Sequence, residues 1–86
     1  MIKTFKCSDT EALSKGQRVK RFASIERVAQ RKLRQLQIAG HLEDLRIPPG
    51  NRLELLKGRR VGQYSIRVND QFRVCFCWTA AGAENV

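Results

Sequence analysis

Hydrophobic positions follow two different periods along this chain. From Ile25 they recur at steps of three and four, through Val28, Ala29, Leu33 and Leu36, and so form one apolar stripe of an α-helix. Ser24 is placed to cap that helix, and Glu26 lies in its first turn, where the helix dipole favours a carboxylate. Gly40 stands where the helix ends, and Arg27, Gln30, Arg31, Arg34 and Gln35 occupy its other side. After Pro48-Pro49-Gly50, a stiff break without ladder donors at the prolines, the period falls to two. Leu53 and Leu55 alternate with Arg52, Glu54 and Leu56. Tyr64, Ile66 and Val68 then mark one strand, and Phe72, Val74, Phe76 and Trp78 mark the next. Between these lies Lys57-Gly58-Arg59-Arg60-Val61-Gly62, a basic loop bounded by glycines.

The first part of the chain is less regular. Ile2 to Lys6 reads as a short strand, and Ser8-Asp9-Thr10-Glu11 matches a capping box opening a brief helix that Gly16 ends. Lys15 to Arg21, with four Lys or Arg among seven residues, reads as a solvated basic linker. Ala80 to Ala83 reads as a turn, and Glu84 to Val86 as the start of a further element. The expected architecture is α+β: a strand, two helices and an antiparallel meander in a single domain spanning residues 1–86, with the helices on one face of the sheet.

The hairpin register decides which side chains share the open face. A two-residue loop at Asn69-Asp70 would put Phe72, Val74 and Phe76 on the face opposite Tyr64, Ile66 and Val68, which burial forbids. A three-residue loop, Asn69-Asp70-Gln71, pairs Ile66 with Val74 and gathers the apolar residues under the long helix, with Gln71 expected in the left-handed conformation. Arg67 and Arg73 then oppose each other on the far face, beside Ser65, Cys75 and either Arg52 or Glu54. Opposed like charges are unfavourable, so an anion between two guanidiniums would relieve them, and Arg takes phosphate in a bidentate fork. The competing account is a plain surface ion pair with Glu54.

Charge points the same way. Seventeen Lys and Arg against eight Asp and Glu give a net charge of +9 and a pI near 10.4 over 86 residues. Nucleic acid, an anionic membrane or an acidic protein would each suit such a chain, and RNA is the expected partner. No run is long and apolar enough for a leader or a membrane span, and three cysteines make no disulfide framework, so a reducing cytoplasm is the expected compartment. Cys75 and Cys77 share a strand face, but with a single histidine in the chain they do not make a four-ligand zinc site. His41 reads as a surface or capping residue, and no nucleotide-binding loop or serine elbow is present.

The stretch Pro49-Gly50-Asn51-Arg52-Leu53-Glu54-Leu55-Leu56-Lys57-Gly58, followed by Gly62 through Phe76, resembles the HigB-type toxins of the RelE/ParE toxin–antitoxin superfamily. Met1-Ile2-Lys3-Thr4-Phe5 and the long helix fit as well. The resemblance implies a ribosome-dependent endoribonuclease that cuts mRNA through 2′-hydroxyl attack without a metal or other cofactor. It also implies a helix-turn-helix, HigA-like antitoxin as partner, and a toxin that is monomeric or part of a heterotetramer. Lys57 matches the family's loop lysine and Arg73 its phosphate-gripping strand arginine. Glu54 stands where some members carry histidine, as a base or as a support for Lys57 or Arg73. Arg67, Arg52, Arg59 and Arg60 complete the expected RNA-binding set. The family's C-terminal acid/base tail has no counterpart before Val86, so the expectation is either that the sequence lacks its end or that cleavage is weakened. A ParE-like gyrase inhibitor, or a ribosome binder that stalls translation without cutting, is the alternative.

Overall fold

A computed structural model describes residues 1–47, 49–56 and 62–86. Helix α1 is Ser8–Ser14 and helix α2 is Glu26–Ile38. Strands β1 (Glu54–Leu55), β2 (Gln63–Arg67), β3 (Arg73–Thr79) and β4 (Gly82–Glu84) form one antiparallel meander in chain order. The architecture is the expected α+β. Its radius of gyration is 12.0 Å, about the value for a chain of this length closed around one core.

Burial explains the layering. Ile25, Ala29, Leu33 and Leu36 are buried along α2, which packs on β3. From the sheet they meet Ile66, Val74 and Phe76, all on one face as the period of two requires. Tyr64 stacks on Phe76 at 6.2 Å and Trp78 meets it edge-on at 6.5 Å. Helix α1 packs on α2 and is tied to it by Gln30, whose Nε2 donates to the Leu13 carbonyl at 3.3 Å.

Several local expectations are corrected. Cys7, not Ser8, is the N-cap of α1, and no side-chain oxygen caps it; Ser8 lies inside the helix. The other end is as expected. Gly16 has φ +81°, its N–H donates to Leu13 O, and the Gln17 N–H donates to Ala12 O, which closes the last turn. The basic segment after it is only partly a linker. Lys20–Ile25 forms a 3-10 helix, because Val19 and Phe22 anchor it to the core, with Phe22 edge-on to Phe72 at 6.1 Å. That turn runs straight into α2, so Ile25 rather than Ser24 is its cap residue.

The amino-terminal strand contracts to a single parallel bridge between Ile2 and Ala83. Lys3 N–H donates to Ala83 O at 2.7 Å, and Ala83 N–H donates to Met1 O at 2.8 Å. The last turn is also shorter than expected: Thr79 pairs with Gly82, so Gly82 and Ala83 belong to β4, and Glu84 completes that strand. Gly82 has φ +130°, and a Cβ there would lie 2.2 Å from the Met1 carbonyl oxygen. The close crossing of Met1 requires glycine. His41 does cap: its N–H and that of Gly40 each donate to Asp44 Oδ2 at 3.1 Å, holding the 3-10 turn Leu42–Arg46.

Candidate functional site

The β2–β3 hairpin adopts the three-residue loop. Ile66 pairs with Val74, Tyr64 with Phe76 and Arg67 with Arg73. Gln71 is not left-handed, contrary to expectation, since Arg52 and Asn85 are the described non-glycine residues with positive φ. Asn69 makes the turn instead: its Oδ1 accepts from the N–H groups of both Gln71 and Phe72 at 2.8 Å. The side chain that closes the loop also spares it the strained residue.

The opposed arginines differ in their surroundings. Arg67 pairs with Asp70, a carboxylate 97% exposed. Arg73 is held at three points. Its Nε–H donates to Ser65 Oγ at 2.8 Å, Nη2 donates to the Arg52 carbonyl at 3.0 Å, and Glu54 Oε2 lies 3.4 Å from Nη2. The side chain keeps 33% of its exposure. Strand β1 brings Glu54 opposite Ser65, which places the carboxylate on the arginine face. The repulsion between the two guanidiniums is thus offset by two separate carboxylates, and needs no anion between them to explain it.

Glu54, Arg67 and Arg73 are therefore gathered on one face. Arg52 joins Arg73 through its backbone carbonyl, while its own side chain is exposed. Lys57, Arg59 and Arg60 lie outside the described residues. Cys75 and Cys77 stand on this same face, opposite Ser65 and Gln63. Among the described residues no three His, Cys, Asp or Glu cluster as metal ligands, and no helix is long and apolar enough to cross a membrane.

Two groups beside the site were missed in the sequence. An open groove of about 640 Å³ runs from Arg73 toward Lys6 and Arg21. Arg21 lies 3.0 Å from Asp9 and stacks over the Phe22 ring at 4.6 Å, so the supposed linker contributes a fixed cation. Cys7 lines the groove too. Hydrogen bonds from the Thr10 hydroxyl and backbone lower its thiol pKa against the opposing effect of burial, with a smaller contribution from Arg21. The other missed group is Lys32, at 9% exposure, whose Nζ donates to the buried Asn51 Oδ1. Desolvation lowers its pKa, helped by Arg31 and Arg67. Its position four residues after Val28 and four before Leu36 was the available signal, since that spacing lies on the apolar stripe.

A helical layer over an antiparallel meander, with a fixed arginine on the open sheet face, is the build of a RelE-like toxin. The family model described as the RelE-like toxin of the type II toxin–antitoxin system HigB matches residues 11–86, and this chain belongs to that HigB-like family. It is 51% identical over 63 residues to Toxin HigB-1 of Vibrio cholerae serotype O1, covering 73% of this chain and 66% of that protein. It is also 41% identical over 54 residues to an uncharacterized protein of Haemophilus influenzae, covering 63% of this chain and 54% of the relative. The matches thus span less than two thirds of either relative's length.

Proposed function

We propose that this chain is the toxin of a type II toxin–antitoxin pair and cuts ribosome-bound mRNA, with Arg73 gripping the scissile phosphate. The observation that carries this reading is the triple hold on Arg73 through Ser65, Arg52 and Glu54, which presents a fixed guanidinium on an open face. In the reaction a 2′-hydroxyl loses its proton to a base, and its oxygen bonds to the adjacent phosphorus. The bond to the 5′-oxygen breaks, that oxygen takes a proton, and a 2′,3′-cyclic phosphate remains. Negative charge grows on the non-bridging oxygens, and a preorganised guanidinium stabilises it without rearrangement. Lys57 would add a second positive charge or move a proton. Glu54, drawn to Arg73, fits the role of support better than that of base. Arg67, and with it Arg59 and Arg60, would hold flanking phosphates. The antitoxin partner would be HigA-like, with a helix-turn-helix, and the working compartment the cytoplasm.

The test is to map the 5′ ends of cellular mRNA after induction. Codon-linked cuts that vanish in Arg73→Ala support the reading. Intact mRNA with stalled translation, or with altered DNA supercoiling, would replace it by a non-cleaving ribosome binder or a gyrase inhibitor.

A further inference from the structure

Arg73 takes one of its three partners from a backbone carbonyl, and that carbonyl belongs to a strained residue. Arg52 has φ +45°, a conformation L-residues hold only where their surroundings impose it. The residue before it is firmly anchored. Asn51 has no exposed surface and ends the short 3-10 turn Pro49–Asn51. Its Oδ1 accepts from Lys32 Nζ, while its Nδ2 donates to Gln35 Oε1 at 2.8 Å and to Leu45 O at 3.1 Å. These contacts tie the turn to helix α2 and to the Leu42–Arg46 segment, with every hydrogen-bonding atom of the Asn51 amide engaged. The next residue, fixed on one side by Asn51 and on the other by its entry into β1, reverses its backbone and turns its carbonyl to Arg73.

We propose that Asn51 is a positioning residue for Arg73: by locking the turn to helix α2 through Lys32 and Gln35, it aims the Arg52 carbonyl that orients the phosphate-binding guanidinium. This rests on the reading of Arg73 as a phosphate ligand. Lys32 then has a stated use. A buried ammonium without a carboxylate beside it among the described residues is unfavourable, and its bond to Asn51 is what the site gains. Helix α2 thereby acts on Arg73 through the turn that Asn51 ends.

The experiment measures binding of a ten-nucleotide single-stranded RNA by fluorescence anisotropy at low salt. The proteins are the wild type, Arg73→Ala, Asn51→Ala, Gln35→Ala, and each of the last two combined with Arg73→Ala. The Nε–H resonance of Arg73 is followed by NMR in the proteins that retain it. Arg73→Ala is expected to weaken binding about tenfold or more, as loss of a charge-assisted contact does. Asn51→Ala and Gln35→Ala should each weaken binding about threefold or more, shift the Arg73 Nε–H signal, and add nothing once Arg73 is alanine. Gln35→Ala keeps the test alive if Asn51→Ala does not fold. Losses that add in full to that of Arg73→Ala, or an unmoved Arg73 signal in Gln35→Ala, overturn the positioning role and leave the phosphate site standing. If Arg73→Ala binds like the wild type, the phosphate reading falls, and the Nε–H signal alone decides whether Asn51 still orients Arg73.

Discussion

Arg67 and Arg73 face each other across the same ladder, but replacing them has different consequences. Arg67 is paired with an almost fully exposed carboxylate, so Arg67→Ala should change stability by less than about 1 kcal/mol in a denaturant titration. Arg73→Ala leaves the buried Ser65 hydroxyl and the Arg52 carbonyl without their donor, and should cost about 1–3 kcal/mol. On the proposed reading of Arg73 it should also reduce cleavage by about 10²–10³-fold, the usual effect of losing one transition-state donor. Growth arrest and melting temperature measured on the same variant report both effects, and full toxicity would end the phosphate-site reading. Lys32 gives a pH test. Its pKa in the fold lies below its ordinary 10.5, so the unfolded chain binds the extra proton between the two values. Stability should therefore rise with pH through that interval, relative to Lys32→Met, and the gain should level off near 10.5. A flat difference between the two proteins in alkaline urea titrations would remove the desolvation argument.

At the scale of elements, the hairpin carries the clearest demonstration of what the chain makes legible. The alternation of Tyr64, Ile66 and Val68 with Phe72, Val74 and Phe76 settles the register, because any other pairing exposes half of them. From that register follow the shared face of Arg67 and Arg73 and the burial of Phe76, which is 1% exposed. Phe76→Ala should cost about 3–5 kcal/mol, read as a shift in the urea midpoint at unchanged slope. What escaped the sequence was of another kind. The Asn51 amide and the Arg52 carbonyl act through hydrogen bonds between segments distant in the chain, and no periodicity encodes those. The caps were misplaced for a related reason. Ser24 is a good cap residue, but with Val19 and Phe22 docked on the core it lies inside the 3-10 turn that runs into α2; at α1 the cap position falls one residue before Ser8, on Cys7.

For the whole molecule, +9 charges are spread over a body about 30 Å across, and Lys6 and Arg21 extend the arginine face along a groove. RNA binding should fall steeply with salt, the slope of log K on log salt being about −0.7 for each phosphate contacted. A flat titration would favour an acidic protein partner. The crossing of Met1 over Gly82 has a further consequence, in the order of assembly. The contacts gathering Arg73 join residues 8 and 21 positions apart, whereas Asn85 N–H reaches Thr4 Oγ1 across 81. Closing the longer loop costs more entropy, and during synthesis the first residues emerge long before residues 82–86 exist. The amino-terminal strip is thus expected to act as a latch that closes after the meander has formed. Gly82→Ala should speed unfolding and leave refolding nearly unchanged in stopped-flow traces; slowed refolding would place the latch in the nucleus instead. A chain whose proposed target is the ribosome would then carry its arginine site in finished form while its own latch is still open.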